Sequence, residues 1–161
     1  MAAGSTYTPI ATTTLGSNQA SVTFNSFSGY TDLVVAVNGT MSSTGNFYVQ
    51  FNGDTSSNYS VTEMYGDGAS AVSARYSSQT YAFCGLLGTA QGNAILNIQN
   101  YANTSTYKTF LARGNYPSGY VIARVGLWRS TAAITSMTFA QASGFTFQTG
   151  STFTLYGLAS A

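Results

Sequence analysis

The sequence predicts an all-β fold: an antiparallel two-sheet β-sandwich of jelly-roll type, with about ten short strands and no substantial helix. Three observations carry that expectation. Apolar residues alternate with small polar ones, the period of a half-buried strand, while stretches at helical spacing bounded by caps are missing. Residues that tolerate positive φ punctuate the chain at Asn38-Gly39, Asn52-Gly53-Asp54, Gly66-Asp67-Gly68, Gly114-Asn115 and Gly144. Candidate strands recur at spacings near a dozen residues with no helix between them, which favours two packed antiparallel sheets over a parallel α/β sheet.

Taken in order, residues 1–16 read as extended but poor in core residues, either an arm that leaves the domain or an edge strand on it. Residues 17–161 form the sandwich, with no linker dividing them. Its first strands are 21–27 and 32–38, each apolar at alternate positions. The clearest strand is 46–52, where Phe47, Val49 and Phe51 share one face and Tyr48 and Gln50 the other. Residues 59–64 follow, with Tyr59, Val61 and Glu63 on one side, and then 79–86, 94–99 and 107–113. In 120–128, Val121, Ala123, Val125 and Leu127 face one way and Tyr120, Ile122, Arg124 and Trp128 the other, so both faces are expected to be partly covered. Residues 134–139 and 152–158 complete the set. Pro9 and Pro117 fall near the start and in a loop, where neither blocks a central ladder.

Composition narrows the function. A chain of 161 residues can bury a core large enough to need no metal or disulfide staple. Only 6% of residues are charged, against about a quarter in an average protein, so small polar side chains do the wetting. A net charge of +1 supplies neither the phosphate contacts of a nucleic-acid binder nor the basic cluster of a protein held on anionic lipid. Histidine is absent, which excludes Ser-His and Cys-His hydrolases and the commonest metal ligand. The lone Cys84 lies in an apolar run and reads as a buried, inert thiol. The N-terminus lacks the basic start and apolar stretch of a signal peptide, so synthesis and folding in the cytosol are expected.

Four acids remain: Asp32, Asp54, Glu63 and Asp67. A carboxylate pair acting on a glycosidic bond is the one catalytic chemistry that needs nothing else from this inventory. Asp54 and Asp67 lie in Gly-flanked turns and Asp32 opens a strand, places where a short carboxylate bonds nearby backbone N–H groups. Asp54 and Asp67 also suggest a calcium site in adjoining loops, but the regular spacing of a calcium loop is missing. Glu63 reads as paired with an arginine or exposed. No catalytic, metal or cofactor residue is therefore assigned, and the chain is expected not to be an enzyme. Twelve Tyr, ten Phe and Trp128 make 14% of the sequence, enough to fill a core and to furnish contact surfaces beside Ser, Gly and Asn.

Several phrases taken together resemble a family of small structural proteins from tailed bacteriophages. They are Ser5-Thr6-Tyr7-Thr8-Pro9-Ile10-Ala11-Thr12-Thr13-Thr14-Leu15-Gly16, Phe51-Asn52-Gly53-Asp54-Thr55, Asn100-Tyr101-Ala102-Asn103-Thr104, Gly126-Leu127-Trp128-Arg129-Ser130 and Gly150-Ser151-Thr152-Phe153-Thr154-Leu155-Tyr156-Gly157. The resemblance covers almost the whole chain and is thinnest over residues 69–93. It implies a virion protein, a capsid decoration or cement protein bound to the major capsid protein, forming a homo-oligomer and, by analogy with other jelly-roll virion proteins, a trimer. The alternative is a tail or fibre adhesin that binds host glycan through loops 52–59 and 100–107. Tyr7, Pro9 and Ile10 in the arm, with Trp128 and Arg129 near a sandwich edge, are the expected partner contacts.

Overall fold

The computed structural model describes residues 6–116 and 119–158. Pro117 and the first five residues of the expected arm lie outside them. Twelve strands are present among the described residues: β1 (Tyr7–Thr14), β2 (Ser21–Asn25), β3 (Asp32–Gly39), β4 (Gly45–Phe51), β5 (Tyr59–Gly66), β6 (Ala71–Gln79), β7 (Ala82–Leu87), β8 (Gly92–Ile98), β9 (Lys108–Tyr116), β10 (Tyr120–Trp128), β11 (Ser136–Gln141) and β12 (Thr152–Leu158). All pairings are antiparallel. The large sheet runs β1-β12-β3-β8-β9-β10-β5-β6 and the small one β2-β11-β4-β7.

Two quartets within that order, β1-β12-β3-β8 and β2-β11-β4-β7, alternate between the sheets as the chain is followed inward from either end. This is the jelly-roll arrangement that the alternation predicts. Two hairpins interrupt it. β5–β6 is inserted between β4 and β7 and β9–β10 between β8 and β11, and all four strands extend the large sheet beyond β8. The large sheet therefore has twice as many strands as the one facing it. β7 packs over β8, β9 and β10 and meets β5 only at its fringe. Past β7, the inner face of β5 and β6 lies largely without a facing strand among the described residues.

Between the sheets lies one apolar core. Leu33, Val35, Val37, Leu96, Phe153 and Leu155 from the large sheet meet Phe47, Val49, Phe51, Met137 and Phe139 from the small one, all essentially fully buried. Rings interlock edge to face, with Phe147 set 5.0 Å from Phe153 and 5.9 Å from Phe47. Cys84 is buried among them with its Sγ 3.7 Å from the Phe47 carbonyl, and burial pushes its thiol well above the ordinary range.

Of the two expectations for the N-terminus, the edge strand is the one seen over Tyr7–Thr14, which pairs with β12 in its own domain with a bulge at Ile10, and Ile10 packs against the core. Pro9 sits on this edge, where its missing N–H costs no ladder bond. β6 was not expected: it is the opposite edge, and although Val72, Ala74 and Tyr76 alternate with Ser73, Arg75 and Ser77, only Ala74, Tyr76 and Gln79 of its residues are even half-buried. Gly114-Asn115 is not a turn but lies inside β9, where a Cβ on Gly114 would press on the Asn93 carbonyl at 2.6 Å. Asn52 does turn the chain, at φ 53°, and Gly53, Gly68 and Gly144 follow the expectation with positive φ.

Candidate functional site

Side chains on the outer face of the large sheet stand in rows fixed by the register. One row crosses all eight strands as Pro9, Tyr156, Val34, Asn97, Leu111, Val125, Thr62 and Arg75. The next runs Thr154, Ala36, Ile95, Arg113, Ala123, Met64 and Ser73. Among the described residues, nothing covers the second half of these rows. Met64 is 64% exposed, Val121 63%, Val125 55% and Leu111 45%, so this side of β10 is covered only in part, at Ala123 and Leu127. A shallow groove of about 720 Å³ lies among Met64, Ile95, Arg113, Val121 and Ala123. The two rows hold two arginines, Arg75 and Arg113, both exposed, and no carboxylate.

Behind this face, the same strands carry a polar cluster. Alternation turns Glu63 and Arg124 inward from adjacent positions on β5 and β10, where they are 5% and 1% exposed. Arg124 Nε donates to Glu63 Oε2 at 2.8 Å, its Nη2 donates to Asn46 Oδ1 at 2.7 Å, and the Tyr76 hydroxyl donates to Glu63 Oε1 at 3.0 Å. The guanidinium also lies 5.8 Å from the Phe83 ring centroid. Burial, reinforced by the bond to Glu63, pushes the Tyr76 phenol up. This cluster replaces the strand that the small sheet lacks, and it floors a cleft of about 370 Å³ whose walls include Tyr65, Tyr120, Ile122 and Leu86. Sequence reasoning left Glu63 open between pairing and exposure and did not connect it to Arg124, which lies 61 positions away.

The other carboxylates are held separately. Asp54 Oδ2 accepts from Trp128 Nε1 at 2.7 Å and from Asn58 Nδ2 at 2.9 Å, while Oδ1 accepts from the Ser56 N–H. Burial raises this carboxyl, but those bonds outweigh it and hold the group below the usual carboxylate range. Asp67 is likewise held down, chiefly by the backbone N–H groups of Ser70 and Ala69. Asp32 accepts from the Asn100 N–H. Asp54 precedes β5 and Asp67 follows it, so roughly 26 Å of extended strand, at about 3.3 Å per residue, separates the two. They neither adjoin as a calcium site nor act on one bond as a pair.

Among the residues expected to touch a partner, the structure separates two groups. Tyr7 and Pro9 are exposed on the β1 edge and Tyr7 packs edge-on to Tyr156 at 6.4 Å, whereas Ile10 leans into the core. Trp128 is buried and stacks on Tyr59 at 6.3 Å, because its ring completes the aromatic cluster with Phe51. Arg129 is bound to its own chain, its Nη2 donating to the Ser57 carbonyl at 2.7 Å. Trp128 and Arg129 thus fasten loop 52–59, and Trp128 is too buried to be a surface contact, whereas Arg129 remains half-exposed. Two of the Asn side chains expected to meet glycan in the loops are engaged as well, while Tyr107 in the second loop is 54% exposed. Asn52 Oδ1 accepts from the Thr135 and Ser136 N–H groups and Asn103 Oδ1 from those of Ser105 and Thr106.

No family profile and no curated protein matches the chain. Among solved structures it is similar to alginate lyase Aly36B, with 12% identity, a TM-score of 0.41 and coverage of 91% of this chain and 77% of that one. A doubly substituted variant of that lyase bound to an alginate tetrasaccharide gives 11% identity and a TM-score of 0.39 at the same coverage. The expectation that the chain is not an enzyme is corrected by this finding, since the solved structures it resembles are those of enzymes. At that identity and score the likeness carries neither substrate nor mechanism to these residues.

Proposed function

We propose that the chain is a structural virion protein of a tailed bacteriophage, a capsid decoration protein that seats the outer face of its large sheet on the major capsid protein. The observation that supports this reading most is the uncovered apolar face around Met64, Leu111, Val121 and Val125. Contiguous exposed apolar surface of this kind marks interaction sites on soluble proteins. Arg75 and Arg113, with no carboxylate in their rows, fit a partner that sets carboxylates or carbonyls among apolar side chains. A second copy of the same face would instead bring guanidinium groups together. The family resemblance supplies the partner class, and many equivalent sites on a shell turn a modest contact into firm attachment.

The test is quantitative peptide mass spectrometry of purified virions after separating heads from tails, followed by rebinding to stripped heads. Hundreds of copies in the head fraction are expected, with rebinding lost in the Val121→Glu/Val125→Glu variant while its melting temperature holds. Confinement to the tail, absence from particles, or undiminished rebinding of that variant refutes the reading.

A further inference from the structure

The cleft behind the uncovered face has features that core packing does not explain. Arg124, 1% exposed, lines it, and Arg124 Nη1 has no hydrogen-bond partner among the described residues, although Nε and Nη2 are both engaged. An orphaned guanidinium N–H carries the full desolvation penalty of that donor, so the position calls for an acceptor. Asn46 accepts from Arg124 through Oδ1, and among the described residues its Nδ2 has no partner. At the mouth, the rings of Tyr65 and Tyr120 stand 6.0 Å apart, tilted by 39°, and Ile122 and Leu86 add apolar wall.

Charge sets the kind of ligand. Glu63 already neutralises Arg124 at 2.8 Å, and no other charged group lines the cleft. A second carboxylate would find no net positive field there, whereas a hydroxyl or ether oxygen can accept from Nη1 and Nδ2 without introducing charge. The remaining walls are aromatic and aliphatic, suited to the C–H face of a ring. At about 370 Å³ the cleft lies at the small end of the range for ligand pockets, about 300–1,000 Å³. We infer that this cleft binds one ring of a neutral hexopyranose, its hydroxyls meeting Arg124 and Asn46 and its apolar face lying against Tyr65 and Tyr120. The site differs from the loops that sequence reasoning put forward for glycan, and it stands whether or not the outer face binds a capsid.

Isotope-labelled full-length protein titrated with glucose, galactose and mannose trisaccharides, and separately with a uronate trisaccharide, tests this by NMR. At least one neutral sugar is expected to shift signals of Asn46, Tyr65, Tyr120 and Ile122 and to move the Arg124 guanidinium resonance. Tyr120→Ala at the mouth and Asn46→Ala on the floor should each weaken binding about tenfold, the loss of one stacking or hydrogen-bond contact. Thermal melts confirm that both variants are folded. No shift with any neutral sugar, binding of the uronate alone, shifts elsewhere on the surface, or unchanged affinity in both variants overturns the inference.

Discussion

Substituting the buried pair one member at a time gives the sharpest test of how the sandwich is closed past β7. Arg124→Leu leaves Glu63 buried with only the Tyr76 hydroxyl as partner, and Glu63→Leu leaves a guanidinium bonded to Asn46 alone. Breaking a buried pair costs about 3–5 kcal/mol, because the survivor is an uncompensated charge out of water. With side chains 1% and 5% exposed, both members qualify. For a chain of this length that is a fall in melting temperature of roughly 6–20 °C, at about 2–4 °C per kcal/mol. The double variant behaves differently. Replacing both ions by leucine removes the desolvation term, and Asn46 and Tyr76 lose one bond each, about 1 kcal/mol apiece. It should therefore fall within about 2 kcal/mol of the parent, a coupling of at least about 4 kcal/mol in a double-mutant cycle read by urea melts at pH 7. Single substitutions costing under about 1 kcal/mol, or a double variant equal to the sum of the singles, would refute the reasoning.

Other expectations concern loops and core. Because the Asp54 carboxyl is held low in the folded state, its contribution is present above the unfolded value near 4 and drains as pH falls below it. Asp54→Asn should flatten the acid limb of a plot of melting temperature against pH, and Trp128→Phe should cost about 1.5–2 kcal/mol at pH 7 through the lost charged bond. Gly126 faces Phe110 across β10 and β9, and a Cβ there would overlap the Cε1 and Cζ atoms of the Phe110 ring. Gly126→Ala should cost about 1–3 kcal/mol in urea melts, and pairing it with Phe110→Leu should recover part of that loss. Cys84 should react with a thiol reagent no faster than the chain unfolds, as followed by absorbance of the released chromophore.

The sequence reveals the local pattern and conceals its long-range closure. Alternation is clean in β4 and β10, so the sides taken by Phe47 and Arg124 are readable from a window of a few residues. β6 is hard to read, since an edge strand that half-buries little beyond Ala74 and Tyr76 shows only a faint period. Gly114 misleads because glycine serves a close backbone approach as well as it serves a turn. As for the candidate site, the grouping of Val121, Ala123 and Val125 is legible, but its exposure is not. Two apolar faces look alike in sequence, and which one is covered depends on how many strands the opposing sheet supplies. The Glu63–Arg124 pair depends on β10 meeting β5, a pairing no local signal specifies.

The pairing order also governs how the fold can be reached. β12 lies between β1 and β3, and β11 lies between β2 and β4, so the last two strands of the chain are wedges driven between strands made much earlier. Tyr7 waits for Leu158 and Ser21 for Ala140. Until they arrive, the loop to be closed spans nearly the entire chain and four apolar strand edges stand open, conditions that slow folding to the millisecond-to-second regime and favour aggregation over closure. Once seated, each wedge is hydrogen-bonded on both sides and cannot leave without opening two ladders together. A topology that is slow to form is for the same reason slow to come apart, and durability in this molecule resides in the height of the exit barrier as much as in the depth of the well.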